Sequence, residues 1–338
     1  MKLIKPFLLI SITFILFHKI SAQDRKFLSP QIKLSGEYVI PSGLKDTSGE
    51  FSVAKSQLGF VYPLMSRRYS LTNDLGYRSM VVLANFNAGY ALPFFTFIDS
   101  QHQLVNGTLG ASIIYNSGNK NTWLGGFNAG IAEDIKTLSS YSIRYTGHVL
   151  FKHKVNGNFS YHAGFVYSFV YGRGLPLPIL GCIIRTGDKS KLKITLPLSI
   201  SYMLKTNEFN MLTFFIQPDG NAYQFATLND TFFYPNNDAI VKFRSRNIKL
   251  GANYKMASGD RFHFTPEIGY SLKRNISFSE GSFSSGESFF KGDLKPAPYI
   301  KVSLRILIGD LKWKRTGDNF LLNDERLDYY DLDDPTKL

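Results

Sequence analysis

The sequence holds a single cysteine, Cys182, in 338 residues, so it predicts neither a disulfide framework nor a cysteine-based metal cluster. Tryptophan is almost as rare, with 2 residues, and charge is thin: 19% of the chain against 44% apolar. That balance is the opposite of a disordered polypeptide. Past residue 22 there is also no long hydrophobic run. The richest later stretch, Leu175 to Ile184, is interrupted by Pro176 and Pro178 and falls well short of the ~20 apolar residues that a membrane-spanning helix requires.

What the chain does have is aromatic rings and an excess of cations. Phenylalanine and tyrosine number 29 and 19, and 39 Lys and Arg against 26 Asp and Glu give a formal charge of +13. The basic residues are dispersed singly along alternating positions and form no stripe, which argues against nucleic acid as a partner. At the N-terminus, Lys2 and Lys5 precede an apolar run from Pro6 to Phe17, followed by Ser21 and Ala22. This is the tripartite pattern of a secretory signal peptide, so residues 1–22 are expected to be removed. Cleavage takes away Lys2, Lys5 and Lys19 and leaves the mature chain at +10. An exported chain without a further apolar helix either stays soluble or enters an outer membrane as a barrel.

Periodicity decides between these. From Lys191 to Leu204, Leu192, Ile194, Leu196, Leu198, Ile200 and Tyr202 share one face and Lys191, Lys193, Thr195, Ser199 and Ser201 the other. The same period of two sets Ile300, Val302, Leu304, Ile306 and Ile308 against Tyr299, Lys301, Ser303 and Arg305, and Phe262, Phe264, Ile268, Tyr270 and Leu272 against Arg261, His263, Glu267, Ser271 and Lys273. Such alternation marks two-faced strands. It persists over about 10 residues or more, the 9 to 11 that a tilted strand needs to cross a bilayer, where soluble strands average ~5 to 6. A turn at Asn156-Gly157-Asn158 would pair Val155 with Phe159, Phe151 with Ala163, Val149 with Phe165 and Tyr145 with Phe169. The apolar face of that hairpin then carries aromatic rings at its two ends, as interfacial girdles do.

The reading is therefore all-β: a transmembrane up-and-down antiparallel barrel of about 14 strands over residues 23–309, with 12 as the alternative. The expected strands near its middle are 190–204, 209–217 and 220–227, with a turn at Pro218-Asp219. Short turns after even strands and longer connections after odd ones, up to 275–295, fit a barrel with both termini in the periplasm. The connection 64–78 breaks this parity. A change of phase between Arg246 and Ile248 calls for a bulge, and Pro197 and Pro266, lying inside expected strands, call for others.

From Leu177 to Phe225, the order Pro178, Gly181, a turn, Leu196-Pro197, Tyr202, Gly220 and Tyr223 resembles the outer-membrane β-barrel family of Bacteroidetes known as domain of unknown function 6268, whose general layout runs from about residue 29 to 309. The resemblance implies an outer-membrane location and brings no catalytic motif.

On these registers the lumen is lined by Arg144, His148, Lys152, His162, Lys193, Arg261, His263, Glu267, Lys301 and Arg305, with Lys33, Glu37, Lys55 and Lys273 beside them. A charge on the lipid face would cost ~2 to 4 kcal/mol at mid-bilayer, which turns these groups inward. Two readings follow. One is a passive channel or uptake protein for a small polar or anionic solute. The other is a barrel plugged by its own counter-charges, working as a scaffold, adhesin or assembly partner. His148 lies diagonal to Ser168, but both point away from lipid and no carboxylate on the hairpin orients the ring, so no enzyme and no catalytic residue is expected. Lys152 and Lys154 would repel a cation bound near His148, His153 and His162, so no metal or other cofactor is expected. Residues 310–338 hold 8 acidic and 5 basic side chains. They are expected to be a mobile periplasmic tail whose charge suits a periplasmic partner or the barrel's own basic mouth. Outer-membrane lipid is the remaining expected partner.

Overall fold

In the computed structural model of the chain the described residues are 30–308, except 47, 71–76, 99–100, 119, 138–142, 172, 208, 227–239, 259–260 and 281–287. The leader 1–22 and the tail 310–338 lie outside them. Fifteen strands make up nearly all of the fold: β1 (Gln31–Gly43), β2 (Glu50–Ser70), β3 (Tyr77–Phe95), β4 (Leu104–Ser117), β5 (Asn121–Asp134), β6 (Arg144–Lys154), β7 (Phe159–Ser168), β8 (Leu175–Gly187), β9 (Ser190–Leu196), β10 (Ser199–Lys205), β11 (Asn210–Ala226), β12 (Ile240–Ser258), β13 (Phe262–Glu280), β14 (Ser288–Leu294) and β15 (Ala297–Leu307). Each pairs antiparallel with its sequence neighbours from β1 to β13. The sheet then closes because β15 pairs with β13 on one edge and β1 on the other. β14 continues the same position, pairing with the upper part of β13. The result is a closed antiparallel barrel of 14 staves, and closure removes the unpaired edges that a membrane would not tolerate.

The two sides of the wall follow the alternation. Leu180, Phe165 and Ile268 point outward and are 65%, 68% and 65% exposed, a band of apolar side chains of the kind that spans hydrocarbon. Outward rings meet in pairs: Trp123 tilted on Phe151 at 4.7 Å, His153 tilted on Tyr161 at 5.3 Å, and Phe127 stacked on Tyr145 at 5.7 Å. The hairpin of β6 and β7 keeps the expected register, Val149 to Phe165 and Phe151 to Ala163. Its turn is held by Asn156 Oδ1, which accepts the backbone N–H groups of Asn158 and Phe159, a local bond that Asn side chains readily supply. Pairing ends at Gly147 and Tyr167, so Tyr145 does not face Phe169.

Two expected boundaries are wrong in opposite senses. Residues 190–204 form not one strand but the hairpin of β9 and β10, turning at Pro197-Leu198 with Thr195 opposite Ser199. Proline lacks the ladder N–H, and the apex of a turn is where that costs nothing. Residues 209–227, expected as two strands, are the single strand β11, in which Pro218 and Asp219 pair with Ile248 and Asn247. The two errors cancel in the strand count. The phase change in β12 is a register shift between Arg246 and Ile248. Much of the expected loop 275–295 is strand, and the long connection 64–78 shrinks because β2 and β3 run on to Ser70 and Tyr77.

Apart from the two-residue turn at Pro197-Leu198, the short connections gather at one end, here the turn end, together with Gln31 and Leu307; the longer ones gather at the other, the loop end. Near the loop end β11 bends across the lumen, and Gln224 pairs in parallel with Glu133 of β5. That contact bypasses β6 to β10. The long staves thus close a smaller ring above the short ones, filled by Phe51, Phe95, Phe243, Phe278 and Tyr223. Their rings lie edge-on or tilted, Phe51 to Phe95 at 4.9 Å and Phe95 to Phe243 at 5.5 Å, which are favourable aromatic arrangements.

Candidate functional site

Inward positions are packed all round the wall. Leu83 and Ile179 are 1% exposed, Lys191 and Lys249 3%, and His263 1%. A water-filled bore would leave such side chains wet, so the lumen is filled by protein. The filling has two chemistries. Against β3 to β8 an aliphatic cluster of Leu83, Ile114, Leu124, Leu150, Val166 and Ile179 packs beside buried Asn85, Ser112, His148 and His162. Against β1, β2, β11, β12 and β15 the filling is ionic.

At the centre of the ionic side is Lys249 of β12. Its Nζ donates to both oxygens of Glu37 on β1 at 2.7 Å and lies 3.1 Å from Asp219 Oδ2 of β11. Lys55 of β2 completes a square, 3.4 Å from Asp219 and 3.6 Å from Glu37, and Lys301 of β15 stands 3.9 Å from Glu37. Asn247 Nδ2 donates to Asp219 at 3.3 Å. One wall over, Tyr299 donates to Glu267 at 3.2 Å while its ring covers the Lys249 ammonium at 4.9 Å, a cation–π contact in a dry setting. The ring lies against the paired glycines Gly251 and Gly269, where a Cβ would come within 3.0 Å or less of it. Charges removed from water this completely persist only when paired and hydrogen-bonded. With Glu267 included, three lysines face three carboxylates, so the cluster is neutral. A cavity of ≈ 20 Å³ remains between Ser35, Gln57, Gln217 and these ions, room for about one water.

The expected lumen residues are distributed unevenly around this cluster. Glu267 and Lys301 belong to it. Arg144 lies at the loop end, its guanidinium donating to the carbonyl oxygens of Ala222 and Ala132 and so tying β11 to β5. His148 and His162 point inward and are buried in hollows that Gly126 and Gly181 leave open; His162 Nε2 is 3.0 Å from Thr195 Oγ1. Lys152 and Lys193 face inward nearer the turn end, where His263 and Arg305 form a register pair. Arg261 precedes β13 and is exposed at the rim. Lys273 is a correction: a positive φ of 46° turns it out of the lumen, and Arg274 takes the inward place. Ser168 is buried near His148, but its Oγ accepts the Val170 N–H at 3.3 Å. His153 faces outward among the aromatic rings, 2.6 Å from Asn121 Oδ1.

Two groups at the heart of the cluster, Asp219 and Lys249, were not foreseen. Asp219 is hidden in Pro218-Asp219-Gly220, which reads as a turn, and Lys249 lies just beyond the phase change of β12. Tyr299 falls on the inward face that the alternation gives to Lys301, Ser303 and Arg305, but nothing in the pattern marks it as a partner of Glu267 and Lys249. The uncharged rungs, such as Asn85 donating to Ser112 at 2.6 Å, were legible only as small polar residues at alternate positions.

A closed, side-chain-filled, outwardly apolar barrel is thus the class that fold and site define. The chain belongs to the family described as Domain of unknown function (DUF6268), whose model matches residues 26–307. No curated protein matches it. Among solved structures it is similar to the COG4313 outer membrane channel from Pseudomonas putida F1, at 8% identity and a TM-score of 0.41, covering 86% of this chain and all of that one. It is also similar to the translocator domain of autotransporter NalP from Neisseria meningitidis, at 9% identity and 0.36, covering 89% and 96%. The Pseudomonas putida toluene transporter TodX follows at 10% identity and 0.34, covering 82% and 89%. At these identities and scores the likeness concerns barrel architecture alone.

Proposed function

We propose that this chain is an outer-membrane barrel that acts as a gated passage for a small polar or anionic solute, shut in the present conformation by the Glu37–Lys249–Asp219 cluster. Its turn end, with both chain ends of the barrel, faces the periplasm. Export through a leader at residues 1–22, removed on the way, belongs to the same reading, as does an origin in Bacteroidetes.

The observation that carries it is the polar seam itself. A permanent plug is made as well, or better, from apolar side chains, since burying ions costs several kcal/mol each before pairing offsets it. Ions and amides kept between β1, β2, β11 and β12 form a band across the lumen that water could occupy once the walls part. Gln57, Gln217 and Asn221 would line that band.

Single-channel recording in a planar bilayer tests this. The unaltered protein should open rarely. Glu37→Gln with Asp219→Asn leaves Lys55, Lys249 and Lys301 unbalanced, and the repulsion should give frequent openings that prefer anions. Silence of both proteins at every voltage would sink the passage and favour a non-transporting scaffold, a reading that the aliphatic and aromatic filling of the rest of the lumen supports.

A further inference from the structure

Near the loop end, Val241, Phe243, Ile276, Phe278 and Leu294 fill the aromatic ring inside the wall, so the residues that alternate with them on β12, β13 and β14 face away from it. Several of those residues are cations. In the register, Gly220, Arg246, Asn275 and Asp293 form one row across β11 to β14, and Ala222, Arg244, Ser277 and Lys291 form the next row toward the loop end. Lys273 joins them from the turn-end side, because its positive φ turns it out of the lumen. Arg246, Lys273 and Lys291 are exposed and Arg244 is half-buried. Against these four cations the two rows set one carboxylate, Asp293, which accepts the Asn275 Nδ2 at 2.8 Å.

Immediately toward the turn end the same face becomes apolar. On β12 the outward positions after Arg246 are Ile248, Leu250, Ala252 and Tyr254, and on β13 Leu272, Tyr270 and Ile268 lie beside them. Leu250 is 50% and Tyr270 55% exposed. Cations that continue a column of hydrocarbon-facing side chains, with a tyrosine at the boundary, sit at headgroup level. The far wall differs: its outward positions near the loop end include the exposed rings of Tyr145 and Tyr167. A surface of this composition fits an amphiphile, with apolar chains along Leu250 and Ile268 and an anionic head over Arg246. Phosphate suits it best, since a guanidinium offers parallel N–H donors to two phosphate oxygens and ammonium groups add point charges around them. We propose that Arg244, Arg246, Lys273 and Lys291 hold the phosphate head of an outer-leaflet lipid against the wall of β12 and β13. The choice of leaflet rests on the orientation proposed above, with the turn end toward the periplasm; the binding itself is independent of whether the barrel conducts.

The test uses the full chain in phospholipid vesicles, with Trp123→Phe and Trp313→Phe and one reporter: Leu250→Trp beside the patch, or Leu109→Trp, also outward and exposed, six staves away. Lipids brominated in their acyl chains quench whichever tryptophan they touch. At position 250, brominated phosphatidic acid should compete for the contact about fivefold more strongly than brominated phosphatidylcholine. At position 109 the two should quench alike. Changing Arg246, Lys273 and Lys291 together to Gln, all at exposed positions, should remove the preference at position 250. Millimolar inorganic phosphate should leave it in place, because the acyl chains add to the grip. Equal competition by the two lipids at position 250 would overturn the proposal, as would the same preference at position 109 or one that the triple variant keeps. Loss of the preference to inorganic phosphate would overturn it in favour of a site for a free anion. A barrel that never conducts can still pass this test, so the passage and the lipid site fail separately.

Discussion

On one side of the lumen, Leu83, Ile114, Leu150 and Ile179 interlock as they would in a soluble core; on the other, Lys249 binds Glu37 and Asp219 in a neutral ionic knot. Both fillings exclude water from the same bore, yet they respond differently to being disturbed. The aliphatic side depends on shape, and losing a methyl group leaves a gap of fixed cost. The ionic side depends on pairing, and losing one member leaves its partners charged and dry. Only the second is able to exchange its internal partners for water. On the proposed reading, this contrast separates a wall that packs from a wall that would open.

The largest expected effect comes from Lys249→Ala. It removes the cation that Glu37 and Asp219 share and leaves two buried carboxylates to Lys55 and Lys301, which stand farther off. Stability should fall by about 3–5 kcal/mol, read from the urea midpoint of the barrel in detergent. An unchanged midpoint would mean that the cluster is already wet and latches nothing. Next comes Leu83→Ala on the aliphatic side, at a site 1% exposed. The expected loss is about 2–5 kcal/mol with no gain in conductance, because a dry apolar cavity stays dry. If Leu83→Ala opened the barrel as readily as loss of the carboxylates, the two sides would not differ in kind.

The sequence exposed the outer belt far better than either filling of the lumen: inward Leu83, Ile114, Leu150 and Ile179 were not anticipated, because an apolar residue on a two-faced strand reads as facing lipid. Alternation over ten residues is a strong signal, and the Asn156-Gly157-Asn158 turn set the β6–β7 register to the residue from Val149 to Val155. Glu37, Lys55, Glu267 and Lys301 were likewise placed inside, since charge on the lipid face is too costly. Asp219 was lost because Pro-Asp-Gly has turn chemistry wherever it occurs, and only the partner strand reveals that β11 runs straight through it. Leu196-Pro197-Leu198 shows the converse. Its flanks alternate so regularly that a turn within them leaves no trace except the proline. Local propensity is silent where tertiary pairing decides, and the knot is assembled from six staves whose members lie up to 264 residues apart in the chain, from Glu37 to Lys301.

The smallest effect should come from the change that looks most drastic on paper, Glu37→Leu together with Lys249→Met. It removes one charge of each sign and puts aliphatic filling where the ionic pair stood, so Asp219 and Glu267 remain to face Lys55 and Lys301. Apolar replacement of a buried pair is commonly neutral or stabilising. The double variant should therefore lie within about 1 kcal/mol of the unaltered protein, with a coupling between the two sites of about 1–3 kcal/mol, measured by the same urea unfolding as the two single variants. Stability would then be regained while the seam lost its hydrophilic character, and the openings expected of Glu37→Gln with Asp219→Asn should not occur. A double variant as unstable as Lys249→Ala alone would show that the pair holds the walls of β1 and β12 together by a geometry that no aliphatic pair reproduces, making the knot a brace of the fold rather than a closure of the bore.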